Sequence, residues 1–124
     1  EQVVETLSPQ EIGVSLEANA SSKAVKFHIA RASGIKSIEY QVVYEADSTA
    51  AERNEGGEDR VQRGITGEAT IKGGASSYSS EWLDLGSCSK NVCRYDSGVS
   101  EVMLTLKIVK DDGKVYQVEK TLEL

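Results

Sequence analysis

A chain of 124 residues with 39% hydrophobic content has the length of one domain and enough apolar material for a single, lean core. Its 14 basic residues stand against 20 acidic ones, a net charge of −6. That balance argues against nucleic acid or an anionic membrane surface as partner, because both demand a basic stripe. No apolar run reaches the length of a membrane span, so no membrane insertion of this chain is expected. A start at Glu1 without methionine reads as a processed or trimmed precursor.

Residues 1–8 form an arm whose apolar members are Val3, Val4 and Leu7. Pro9, the only proline, sets it off from a single domain at 9–124. The arm reads as an edge strand, a linker, or a strand donated to another subunit. Ile12, Val14, Leu16 and Ala18 then alternate with Gly13, Ser15 and Glu17, which predicts a strand. A turn follows at 19–23, and its Asn19-Ala20-Ser21 has the pattern of a glycosylation sequon, a surface-turn feature. Val25, Phe27 and Ile29 alternate with Lys26, His28 and Ala30, predicting a second strand with His28 toward solvent. Ser33-Gly34 ends it. A third strand at 38–45 has Ile38, Tyr40, Val42 and Tyr44 in one phase.

Residues 47–64 change character. They mix acids with Arg53, Arg60 and Arg63 around Gly56-Gly57, which predicts a long solvated loop, with a binding loop as the alternative. Asp47, Glu55, Glu58 and Asp59 could supply calcium ligands, but the spacing of a known calcium loop is missing. A weak strand is expected at 65–72 on Ala69 and Ile71, then a small-residue loop, then apolar character at 81–85. The last third reads most clearly. Val102, Leu104, Leu106 and Ile108 share one phase, Asp111-Asp112-Gly113 makes a turn, and Tyr116, Val118, Leu122 and Leu124 share the next phase. About seven short strands without a helix predict an all-β, antiparallel two-sheet β-sandwich.

Carboxylates abound, but motifs that carry chemistry are few. Cys88 and Cys93 are the only cysteines, with four residues between them. Zinc needs more ligands than this pair and the single His28 provide, and thioredoxin-like chemistry uses a shorter spacing. The pair therefore reads as a structural disulfide that fixes a short loop. No nucleophile elbow or phosphate-binding loop is present. No catalytic residue, metal site or cofactor is expected, and the chain is not expected to be an enzyme. Trp82 reads as a core anchor, and alternatively as a ligand platform with Tyr78 and Tyr95.

Residues 81–124 resemble the C-terminal half of an immunoglobulin-like or fibronectin-type-III-like domain. The resemblance rests on Trp82-Leu83-Asp84-Leu85-Gly86, the Asp96-Ser97-Gly98 step, the strand from Val102 to Val109, and the final hairpin. Ser100 and Val102 stand where such domains carry a corner tyrosine and an inter-sheet cysteine. The segment Leu85-Gly86-Ser87-Cys88 with Cys93-Arg94-Tyr95 also resembles cysteine-looped modules of bacterial cell-surface proteins. That resemblance implies display, adhesion or appendage building.

The expectation is a secreted or cell-surface structural or adhesive module. It could serve as a subunit of an extracellular filament or pilus, self-associating by strand donation through Val3, Val4 and Leu7. The alternative is a carbohydrate- or ligand-binding sandwich using Tyr78, Trp82, Tyr95 or the 47–64 loop.

Overall fold

A computed structural model describes residues 4–21, 23–48, 54–57, 59–71, 73, 75–89 and 92–124, with residues 4, 87–89, 92 and 93 described by backbone alone. The arm supplies β1 (Val4–Thr6), and Pro9 opens a one-turn helix α1 (Pro9–Ile12). Proline suits that first helical position because its missing N–H has no partner to lose there. Gly13 ends the helix at φ 66°, and a Cβ there would overlap that of Ala30. So β2 starts at Val14 and runs to Ala18, and Ile12 belongs to the helix rather than to the strand. Next come β3 (Ala24–Ile29), β4 (Ile35–Asp47), β5 (Arg60–Thr70), β6 (Tyr78–Ser79) and β7 (Leu83–Asp84). The chain finishes with β8 (Gly86–Ser89), β9 (Val92–Tyr95), β10 (Glu101–Lys110) and β11 (Val115–Glu123).

Eleven strands among the described residues replace the seven expected. The additional ones are short: β1, β6 in the stretch read as a small-residue loop, and the hairpin β8–β9 in the cysteine region. The first sheet has the order β1-β11-β10-β4-β5, and the second has β2-β3-β6 with β7 also on β3. β8 and β9 make a separate two-stranded ribbon. The pairing is not wholly antiparallel, because β1 runs parallel to β11 with Val4 opposite Val115.

The two main sheets pack face to face around one core. From the first come Ile38, Val42, Leu104, Leu106, Ile108 and Val118, and from the second Val25, Phe27 and Ile29. All of these are at most 1% exposed. Along β10 the phase is as expected: Val102, Leu104, Leu106 and Ile108 are buried while Met103 and Lys107 are exposed. The β10–β11 turn also forms as expected. Gly113 takes φ 87°, and Asp112 Oδ1 accepts the Lys114 N–H at 2.9 Å.

Strand β5 is where expectation and structure part most. The loop predicted over 47–64 is shorter, because Asp47 ends β4 and residues 60–64 begin β5. β5 pairs with β4 without interruption from Asp47↔Arg60 to Ser37↔Thr70. Its inward positions are Val61, Arg63, Ile65, Gly67 and Ala69, so an arginine and a glycine interrupt the apolar phase. A Cβ at Gly67 would overlap the ring of Tyr40, which lies across the strand at that point. An aromatic on the neighbouring strand thus covers the glycine.

Candidate binding face

Strands β6 and β7 both lie along β3, but in different registers. Tyr78 opposes Ile29 and Ser79 opposes His28, whereas Leu83 opposes Val25 and Asp84 opposes Ala24. Between them the register slips by one residue, leaving both Glu81 and Trp82 to face Lys26. This is a β-bulge, and a one-residue slip moves the following side chains to the other face. Ser80 pins it. Its N–H donates to the Phe27 carbonyl at 2.9 Å. Its hydroxyl accepts the Phe27 N–H at 3.0 Å and donates to the Glu81 carbonyl at 2.8 Å.

Without the slip, the phase of Tyr78 and Ser80 would carry Trp82 inward. With it, Trp82 stands on the outer face, 45% exposed. The expectation of a core tryptophan is therefore corrected. Lys26 Nζ lies 5.0 Å from the Trp82 ring centroid and 3.8 Å from Glu17. Tyr95, 40% exposed, has Lys23 Nζ at 5.2 Å from its ring. Tyr95 reaches this end of β3 because the ribbon is tied there: the Leu85 N–H donates to the Lys23 carbonyl, and the Asp96 N–H to the Leu85 carbonyl. Lys26 lies within β3 and Lys23 immediately before it. Trp82 directly precedes β7 and Tyr95 opposes Gly86 just beyond it, so two exposed rings stand at the two ends of this short strand, each beside a cation.

Tyr78 does not join them. It faces inward, its ring centroid 5.9 Å from that of Phe27, and burial raises its pKa. On the outer face, His28 Nδ1 meets Ser79 Oγ at 2.5 Å, with Ser15 on the other flank of His28. This contact is open to solvent and forms part of a polar ladder across three strands.

A second polar cluster fixes the Asp96-Ser97-Gly98 step. The Tyr44 hydroxyl donates to Asp96 Oδ2 at 2.7 Å, and Arg63 Nε donates to Asp96 Oδ1 at 3.3 Å. Arg60 donates to the Gly98 carbonyl at 2.6 Å and pairs with Asp47 at 3.0 Å. Gly98 has φ 72°, and a Cβ there would run into the Asp47 carboxylate. Burial, reinforced by the Asp96 hydrogen bond and charge, pushes the Tyr44 pKa well above its ordinary value. The phenol is therefore held neutral in the folded protein. Its share of stability is complete below the unfolded-state pKa near 10 and is lost as pH rises beyond it. Urea unfolding at about pH 8 and about pH 11 is expected to show a fall for the wild type and a smaller fall for Tyr44→Phe.

The remaining residues singled out from sequence fall as follows. In the arm, Val3 lies outside the described residues and Val4 is described by backbone alone. Leu7 packs against the core, its N–H donating to the Gln117 carbonyl at 2.9 Å. The side chains of Cys88 and Cys93 lie outside the described residues, while their Cα positions are register partners across β8–β9. Of the four acids considered for calcium, Asp47 is paired with Arg60, Glu55 and Asp59 are exposed, and Glu58 lies outside the described residues. Among the described residues no group of three His, Cys, Asp or Glu is placed to hold a metal ion. Asn19 of the sequon caps its turn, its Oδ1 accepting the Lys23 N–H at 2.9 Å.

The outer face of the five-stranded sheet carries a depression of about 450 Å³ between Glu39, Gln41, Thr66, Glu68, Thr105 and Lys107, with Tyr40 and Gly67 also lining it. No helix among the described residues is long and apolar enough to cross a membrane. No protein-family model, curated protein or solved structure matches this chain.

Proposed function

We propose that this chain is an exported, non-catalytic adhesive module of immunoglobulin-like build, and that it binds glycan through Trp82 and Tyr95. The observation that carries this reading is the bulge at residues 81–82. A strand following the phase of Tyr78 would bury its tryptophan; this one turns it out beside Lys26. Leaving large aromatic surface in water forgoes burial energy, on the order of 2 kcal/mol or more for a ring of this size. Bulges that re-aim a side chain are a recurrent feature of functional sites. Two flat rings beside lysines suit a sugar, whose C–H face stacks on the aromatic while its hydroxyl or carboxylate groups meet the cation.

Export is supported by the cysteine pair. Residues directly opposite in an antiparallel ladder have Cα atoms about 4.5–5.5 Å apart, within disulfide range. We assign Cys88 and Cys93 to such a bridge, which would hold the ribbon that presents Tyr95. The polar ladder of Ser15, His28 and Ser79 supports recognition rather than catalysis, since it lies on an open face.

A glycan array probed with the whole chain, with Trp82→Ala as control, tests the reading. Binding to at least one glycan is expected, weakened at least tenfold by Trp82→Ala at a temperature where the variant remains folded. A blank array, or equal binding by the variant, removes the proposal.

A further inference from the structure

The described part of the arm is already paired, within its own chain, on the β11 edge of the five-stranded sheet. The opposite edge is β5. It is eleven residues long, its register with β4 shows no bulge, it contains no proline, and among the described strands it pairs with β4 alone. Long, regular edges of this kind are pairing templates, and proteins that stay monomeric usually blunt them.

Gly64 gives the edge a specific meaning. It sits near the middle of β5 on the outer face, and its φ is not in the left-handed region. A Cβ added there would meet only the Val42 carbonyl oxygen, at 3.8 Å, an ordinary contact. Neither a turn nor packing within the chain therefore requires glycine, although glycine weakens a strand interior. Gly67 differs, since the Tyr40 ring accounts for it. With a bulge excluded by the regular register, an interior glycine is often a place where a ligand or another backbone approaches closely, and here it leaves the middle of the edge without a side chain standing beside an incoming strand.

The charges set the register. Glu68 and Glu39 are direct cross-strand neighbours on the outer face, a like-charge pair that destabilises, and Lys107 reaches Glu39 only from the far side at 3.8 Å. Arg60, on the same face of β5, is held at the sheet edge by Asp47 and the Gly98 carbonyl with its side chain 39% exposed. We infer that β5 pairs antiparallel with β5 of a second copy of this chain, about a two-fold axis at Gly64. Gly64 then faces Gly64 of the second copy, Gln62 faces Thr66, and Arg60 faces Glu68 at both ends. All these positions lie on one face, as antiparallel partners must. The two five-stranded sheets become one continuous sheet, and each Glu68 gains a cation opposite it.

Sedimentation velocity on the whole chain over a wide concentration range tests this. The wild type is expected to move from 13.4 kDa toward twice that mass as concentration rises. Gly64→Lys sets two lysines face to face on the axis and is expected to stay monomeric with its melting profile intact. Glu68→Arg relieves the like-charge pair within the chain but faces Arg60 of the second copy, and a dissociation constant at least tenfold weaker is expected. Trp82→Ala is expected to dimerise as the wild type does, which separates this edge from the aromatic face. A wild type monomeric at every concentration, or a Gly64→Lys variant that dimerises like the wild type, overturns the pairing. An unchanged constant for Glu68→Arg overturns the register.

Discussion

Phe27→Ala is expected to be the most damaging aromatic truncation in this chain, costing about 3–5 kcal/mol. Phe27 is the only phenylalanine and is fully buried. Its ring lies 5.4 Å from that of Tyr40 and 5.9 Å from that of Tyr78, joining the inner faces of both sheets. Contacts of this kind add roughly 0.5–1.5 kcal/mol each beyond area burial. Its backbone exchanges hydrogen bonds with Ser80, so a collapse at Phe27 would also disturb the bulge that aims Trp82. Trp82→Ala, by contrast, removes a side chain that is 45% exposed and should cost clearly less than Phe27→Ala, about 1–2 kcal/mol. Chemical denaturation of the two variants under one set of conditions checks this. Equal losses would return Trp82 to the core.

Leu104→Ala is the second large effect, at about 2–5 kcal/mol. Leu104 is fully buried at the centre of β10, and the strand is enclosed on both edges, by Val42 on β4 and Lys120 on β11. Flanking strands hydrogen-bonded over most of their length cannot close on the vacated volume, so much of the cavity should persist. Lys107 is three residues further along the same strand, on the opposite face. Its side chain is 48% exposed and its pair with Glu39 spans 3.8 Å. Lys107→Ala should change stability by no more than about 0.5 kcal/mol, since exposed ion pairs contribute little. A melting-temperature drop of roughly 10 °C for the first and almost none for the second is expected. Similar drops for both would place the wrong face of β10 inside.

The legible parts of the fold are those whose side chains obey a single rule. In β10 and β11 every inward residue is apolar or aromatic up to Lys120, and Asp112-Gly113 supplies the turn, so period and hairpin could be read from the string; Leu124, expected on the same apolar face, instead lies past the end of β11 and is exposed. β5 was only half legible, its later residues read as a weak strand and 60–64 as loop, because two of its inward positions are satisfied by residues far along the chain. Arg63 is accepted inside because Asp96, 33 residues on, receives it at 3.3 Å. Gly67 is accepted because Tyr40 fills the space above it. Neither partner shows in a local window, so the first residues of the strand, 60–64, looked like the end of a loop and the rest like a weak strand.

The binding face was half legible. Trp82 and Tyr95 were recognisable as candidates from residue type, and so was Tyr78, which the structure turns inward against Phe27. Which aromatic faces water depends on a register slip of one residue against β3, and that slip is held by Ser80 reaching Phe27 across 53 residues. The sequence by itself determined the β character, the inner phase of β10, and that of β11 through Val118. These follow from side-chain chemistry repeated at period two. Only the tertiary structure decided the parallel seat of the arm on β11, the extent of β5, and the outward turn of Trp82. Each of these rests on a pairing between distant segments, and a one-residue change of pairing exchanges the two faces of a strand without changing a letter of the sequence.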